Sequence, residues 1–471
     1  MMKENTRPSI KRNFAYKSIL TISTYLMGFI TFPYISRVFG VENLGLVNFV
    51  DNTVSYFLLF ATMGISNIGI REIAAVKHDQ KERSRVFSNL LGVNLLFTVV
   101  TLAVYLLVIF LVPKFNQHIE LFYIGTAKIL FSAFMIEWLY SGLENFRYIT
   151  IRSLLIKALY VLAVFAFIRR PDQYKIYFLL TVLVTVFNSI VNLLHSSRYV
   201  DLVWKEVMDF RYIRSNLTLG VYNIMTSMYL TFNVMYLGLV CNNEQVGYYT
   251  SAFKLYTIIL SVFGSFTSVM LPRMSSLLAQ GREDEFRSMI SRSFEYVYVF
   301  SIPLILCTIV MSPQIIHVIC GPGYDGAVLP MRIIMPAVLS VGIAQVLAIQ
   351  VLMPKKKDNV LLYASFAGAS VSILINVCAV SFMGASGSAM VLLFSEITVT
   401  MYYLIYVMKE RIVEVHLKHI LHNILKAIPL AAVCLICAIV FENPFVSLPI
   451  AVCASVVIWV LMNMRFIKFL R

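Results

Sequence analysis

Five ionisable side chains stand inside otherwise apolar runs of this 471-residue chain: Asp51, Lys128, Glu137, Lys254 and Glu396, with Arg37 and Arg332 near the ends of two further runs. Two kinds of chemistry suit these types, and neither is covalent. Lysines in a low-dielectric cavity hold a phosphate-type anion as point charges, and an acid in the same medium carries a proton or a small cation. A charge at the centre of a membrane helix costs about 2.5–3.5 kcal/mol, so it faces water, a ligand or a partner. The competing reading is internal ion pairing. Lys128 and Glu137 are nine residues apart, about two and a half helical turns, so any partner must come from another element. Snorkelling explains Arg37, Arg332 and Glu137 more readily than Lys254.

The elements that carry these residues are membrane helices. Hydrophobic residues make up 59% of the chain and charged residues 13%, against about 25% charged in an ordinary soluble chain. Fourteen runs are long enough to cross a bilayer, which needs about 20 residues each. The formal charge of +15 is spread over short connectors rather than gathered on one soluble segment, so topogenic charge is expected and nucleic-acid binding is not. With a cytoplasmic N-terminus, 31 of the 39 lysines and arginines fall on the cytoplasmic side and six on the other. Both termini are therefore expected in the cytoplasm. The charged start (Lys3, Arg7, Lys11, Arg12, Lys17) runs straight into a full-length span, so no cleavable leader is expected.

A shift of 202 residues superimposes two six-span halves: Arg12 on Arg214, Arg71 on Arg273, Arg85 on Arg287 and Gly45 on Gly247. Thr21, Thr24 and Thr31 fall on Asn223, Thr226 and Asn233, and Asn216 precedes the second set by seven residues. These spacings keep each set on one helix face. Such a stripe either lines a cavity or glues helices together, and its recurrence at the start of both halves favours the cavity. The organisation expected is an all-α polytopic membrane protein: one lobe at 1–214, a pseudo-symmetric lobe at 215–410, and a connector with two further helices at 411–471.

Other motifs read as structure. Cys434 and Cys437 form a CxxC inside AAVCLICAIV, expected to be core rather than a metal or redox pair. His416, His419 and His422 recur every three residues and fit a helix lying on the membrane better than a metal site. No GxxxxGK[ST] occurs, so no ATP-binding loop is expected, and GPGYDG at 321–326 reads as a tight turn. The connectors on the outer side are short, which argues against a membrane glycan polymerase. No metal and no cofactor are expected.

Four stretches carry a resemblance: EWLYSGLENFRYITIR (137–152), SRVFGVENLGLVNF (36–49), NIGIREIA (67–74) and CGPGYDGAVLPMRIIMP (320–336). Together they resemble the Wzx-type polysaccharide flippases of the MOP superfamily. The resemblance implies a MATE-like bundle of two six-helix lobes plus two helices, working by alternating access in the bacterial cytoplasmic membrane. It also implies an undecaprenyl-diphosphate-linked oligosaccharide as cargo, in O-antigen or capsule assembly, with polymerase and chain-length proteins as candidate neighbours. On that reading Lys254, Lys128, Arg37, Arg332, Asn223, Asn233 and Thr24 are candidate substrate contacts. Asp51, Glu137 and Glu396 are candidates for coupling to H+ or Na+, and Glu396 departs from the cationic cavity described for such flippases. Ion-coupled drug or cation efflux of the MATE type is the alternative.

Overall fold

A computed structural model describes residues 10–207, 209, 211–412 and 417–464; all regular structure among them is helical. His416 and the basic residues Lys3, Arg7, Arg465, Lys468 and Arg471 lie outside the described residues. Two compact units form, one from Met1–Phe39 with Leu46–Met235, the other from Gly40–Gly45 with Tyr236–Arg471.

Four of the long helices start where the sequence supplies a side-chain cap. Asp79 accepts hydrogen bonds from the backbone N–H groups of Lys81 and Glu82 at 2.9 and 3.1 Å and opens the Gln80–Leu111 helix. Asn145, Asn242 and Asn443 do the same for Phe146–Phe167, Asn243–Ala279 and Pro444–Met462. Each side chain satisfies a donor that the first turn leaves without a helical acceptor.

Among the described residues, eleven segments are long and apolar enough to cross a membrane, three fewer than the fourteen runs read from the sequence. The first two runs lie in Ile10–Thr62 and are separated at Gly40, whose φ of 70° and ψ of 176° are not helical, so both runs stand although the eleven count them as one segment. The seventh run is divided into Ile213–Ser227 and Thr231–Val240. The eighth lies in Asn243–Ala279, a single 37-residue helix whose stretch 255–272 carries no charged residue.

In the first unit, the core surrounds Trp138 together with Ile68, Ile73, Phe87, Leu90 and Ile149. Ile65–Ala75 packs on the short Glu137–Gly142 helix, so two of the motif stretches are each other's packing surface. A Cβ on Gly69 would stand 2.5 Å from the Trp138 ring, which is why only glycine fits there. In the second unit, Gly45 and Gly247 meet backbone to backbone. A Cβ on Gly45 would lie 1.8 Å from the Asn243 carbonyl oxygen, and one on Gly247 2.2 Å from that of Val41. Cys434 and Cys437 are buried free thiols, and Cys434 lies 3.3 Å from the Ser455 hydroxyl. They are core residues, as their apolar flanks suggest. No group of three metal-ligating side chains occurs among the described residues.

Candidate functional site

The first unit holds three polar stations on its spanning helices. At the first, Lys128 on Ile119–Ser132 donates to the Asp51 carboxylate on Ile10–Thr62 at 2.6 Å; their side chains are 15% and 37% exposed. The sequence offers both as separate candidates, and the fold joins them. The lysine is thereby compensated in a place where a lone charge would be costly, and the more open carboxylate leaves the pair reachable from one side.

The second station is built from the 137–152 motif. Glu137 pairs with Arg152, whose side chain is 4% exposed. The same guanidinium donates to the Asn192 side-chain oxygen and, at 3.0 Å, to the Ser153 hydroxyl, and it sits 5.6 Å from the Tyr148 ring centre. Tyr140 donates to the Asn192 carbonyl at 2.5 Å, and Tyr148 stacks on His195 at 4.0 Å. Asn145 reaches the Tyr199 hydroxyl at 3.0 Å. Glu137, Tyr140, Asn145, Tyr148 and Arg152 therefore form one network that ties Glu137–Gly142, Phe146–Phe167 and Tyr174–Ser196 together. Arg152 reads from the sequence as a membrane-edge anchor. The fold instead buries it inside a candidate span.

Lys157, which the charge count assigns to a connector, makes the third station. Phe146–Phe167 is continuous, so Lys157 lies near its middle, and its ammonium group donates to the Thr24 hydroxyl. The sequence reading missed it because the polar start of this helix looks like loop when only apolar residues are counted. The available signal was periodic: Arg152 and Lys157 both fit within one uninterrupted helix after the Asn145 cap.

The hydroxyl and amide stripes divide in the structure. Thr24 is exposed and donates to the Leu20 carbonyl at 2.9 Å, whereas Thr31 is buried and donates to Met27 O at 2.9 Å. Asn216 accepts from the Gly64 N–H at 2.7 Å, and Asn223 donates to the Met63 carbonyl at 3.1 Å. Those two amides satisfy the backbone where Ile10–Thr62 gives way to Ile65–Ala75, at Met63 with φ of 43°. Asn233 is fully buried.

In the second unit, Lys254 is exposed on Asn243–Ala279. Glu396, midway along Ala385–Lys409, is 9% exposed, and no ion pair or side-chain hydrogen bond forms at its carboxyl group among the described residues. Arg332 donates to the Ser312 hydroxyl at 2.8 Å and the Ile309 carbonyl at 3.2 Å. In the first unit, Arg37 turns back on its own helix to Pro33 O at 2.8 Å.

Comparison with known proteins places this architecture. A family model described as "Polysaccharide biosynthesis protein" matches residues 10–278. The chain is 23% identical over 410 residues to a protein of Escherichia coli (strain K12) named "Putative O-antigen transporter", covering 86% of this chain and 98% of that one. A protein of the same name from Shigella dysenteriae is 23% identical over 401 residues, covering 84% and 99%. Among solved structures, the lipid II flippase MurJ in an inward closed conformation superposes with a TM-score of 0.75 at 14% identity, covering 97% of this chain and all of that one. An inward-facing multidrug-resistance MATE transporter of the MOP superfamily gives 0.57 at 11% identity, covering 86% and 96%. These proteins are named as transporters or as a flippase, and the solved structures share the fold with this chain. With more than half of its residues under the family model, the chain belongs to the polysaccharide biosynthesis protein family, as a multi-pass membrane protein with a MurJ- and MATE-like fold of apolar helices.

Proposed function

We propose that the protein is a flippase that carries undecaprenyl-diphosphate-linked oligosaccharide units from the inner to the outer leaflet of the bacterial cytoplasmic membrane by alternating access. The observation that carries this reading is a coincidence on one chain. Relatives named as O-antigen transporters match nearly their whole length, and the fold is shared with a lipid flippase. A diphosphate needs cations at membrane depth, and the helices supply Lys254, Lys157 and Lys128. Two unit charges 4 Å apart interact by about 4 kcal/mol at an effective dielectric of 20 and about 1 kcal/mol in bulk water, so holding the diphosphate rewards a site screened from solvent. Thr24 would contact the sugar beside Lys157, while Asn223 acts on the backbone at Met63. Arg37 and Arg332 stand near helix ends, where they would meet the head group on entry or exit. Both termini face the cytoplasm in this reading, and polymerase and chain-length proteins are candidate neighbours.

Lys254→Ala, expressed and inserted at normal levels, is expected to lower surface polysaccharide in a strain that lacks its own copy. Output equal to the parent's would remove Lys254 from the path. Drug or cation efflux is the second reading, favoured by the MATE fold alone. It requires a deletion strain to become drug-sensitive while its surface glycan stays intact.

A further inference from the structure

Three acids on the candidate spans differ in what neutralises them. Asp51 faces the ammonium of Lys128 and Glu137 faces the guanidinium of the buried Arg152. Adding a proton to either would strand a cation on a spanning helix, so both are poor places to load one. Glu396 is different: nine-tenths buried, with no cation in ion-pair contact and no hydrogen-bond partner for its carboxyl group among the described residues. A charged carboxylate so placed is costly unless a proton or a cation neutralises it.

The surroundings agree. Ala385–Lys409 packs against Asp358–Ile375, Val328–Ile334, Ala337–Gln345 and Asn243–Ala279, and against the π-helical turns at Val346–Leu352 and Asn376–Val380. The charged residues on these elements are Asp358, Arg332, Glu244, Lys254 and Arg273, with Lys409 at the end of Glu396's own helix, and none pairs with Glu396. Arg332 is engaged by Ser312 and Ile309, and Asp358 and Lys409 stand at helix ends. The remaining titratable groups on these elements are phenols and one thiol: Tyr249, Tyr256 and Tyr403 are buried, Tyr248, Tyr402 and Tyr406 half-buried, and Tyr363 and Cys378 exposed. Buried polar capacity lies on the same elements: Ser395 Oγ, Asn376 Oδ1 and Gln350 Nε2 have no hydrogen-bond partner among the described residues. π-helical turns of this kind are frequent at functional sites.

We infer that Glu396 is the proton-carrying group of the transport cycle, protonated in the conformation described here and deprotonated in the conformation that opens it to water. This rests on the transporter reading above. The step is a proton transfer alone: the carboxylate takes a proton from water on one side of the membrane and returns it to water on the other, and no bond of the cargo changes.

Two measurements on the full-length protein test it. Infrared difference spectroscopy of purified protein in detergent at neutral pH should show a protonated carboxyl C=O band that is lost in Glu396→Gln and kept in Asp51→Asn and Glu137→Gln. A spectrum that is the same in wild type and Glu396→Gln would overturn the inference. In proteoliposomes carrying a labelled undecaprenyl-diphosphate oligosaccharide, the ratio of transbilayer movement with a pH gradient to that without should exceed one in wild type, fall to one in Glu396→Gln and recover in Glu396→Asp. Movement indifferent to the gradient in wild type would overturn the inference while leaving the flippase reading intact. A band lost in Glu396→Gln, with no movement of the lipid in any protein, would uphold the proton on Glu396 and count against the flippase reading instead.

Discussion

Arg152 shows what a single charge does in this molecule. Its guanidinium is buried against Glu137, Asn192 and the Tyr148 face, so removing the carboxylate leaves a cation with no counter-charge. Breaking a fully buried pair costs about 3–5 kcal/mol. Glu137 is 41% exposed, which brings the expected loss for Glu137→Ala to about 1–3 kcal/mol, read as a lower midpoint of thermal unfolding in detergent. A Glu137→Ala, Arg152→Leu double variant should recover part of that loss, and no recovery would contradict the coupling. Lys157→Met should lower polysaccharide output at normal expression, because it removes the ammonium group beside Thr24. His118, in the connector between two spans, has its pKa pushed down from 6.5 by burial and by Lys114 and Lys175. The folded chain therefore binds fewer protons than the unfolded one below that value. Its contribution is present above about pH 6.5 and is lost as pH falls through the window beneath it. In His118→Gln the acid-side decline in unfolding midpoint should be shallower than in wild type.

The elements explain why the motif stretches stand out. NIGIREIA and EWLYSG pack on each other, with Gly69 under the Trp138 ring and Gly142 against Ile73. Gly69→Ala forces a methyl group into a 2.5 Å gap and should destabilise by about 1–3 kcal/mol. If the variant unfolds like wild type, the contact is not a close-packed one. Much of the element plan was legible in the sequence, since apolar runs and asparagine or aspartate caps are local signals. The junction at Met63–Gly64, inside the second run, was not, because it depends on tertiary contacts from Asn216 and Asn223. The candidate residues were legible by type and not by partner. Asp51 and Lys128 are 77 residues apart, and no periodicity within one helix announces their pairing. Lys157 was hidden because the count of basic residues assigned it to a connector.

The molecule is a polytopic bundle whose spanning helices carry a small number of charges, four of which form two ion pairs in the first unit. Lys128 and Arg152 are balanced within the first unit, and Glu396 is a buried acid of the second with no ion-pair partner among the described residues. The lopsided distribution of lysine and arginine sets the expected orientation, and reporter fusions at the two ends should both report the cytoplasm. The measurement that tests the central claim most directly is transbilayer movement. Purified protein is reconstituted with a labelled undecaprenyl-diphosphate oligosaccharide from a strain that makes the matched glycan, and the label newly accessible in the opposite leaflet is scored against protein-free vesicles. Protein-dependent movement that falls in Lys254→Ala is the expected result. Vesicles with and without protein that behave alike, while the same preparation moves a soluble cationic drug, would contradict the flippase reading and leave efflux in its place.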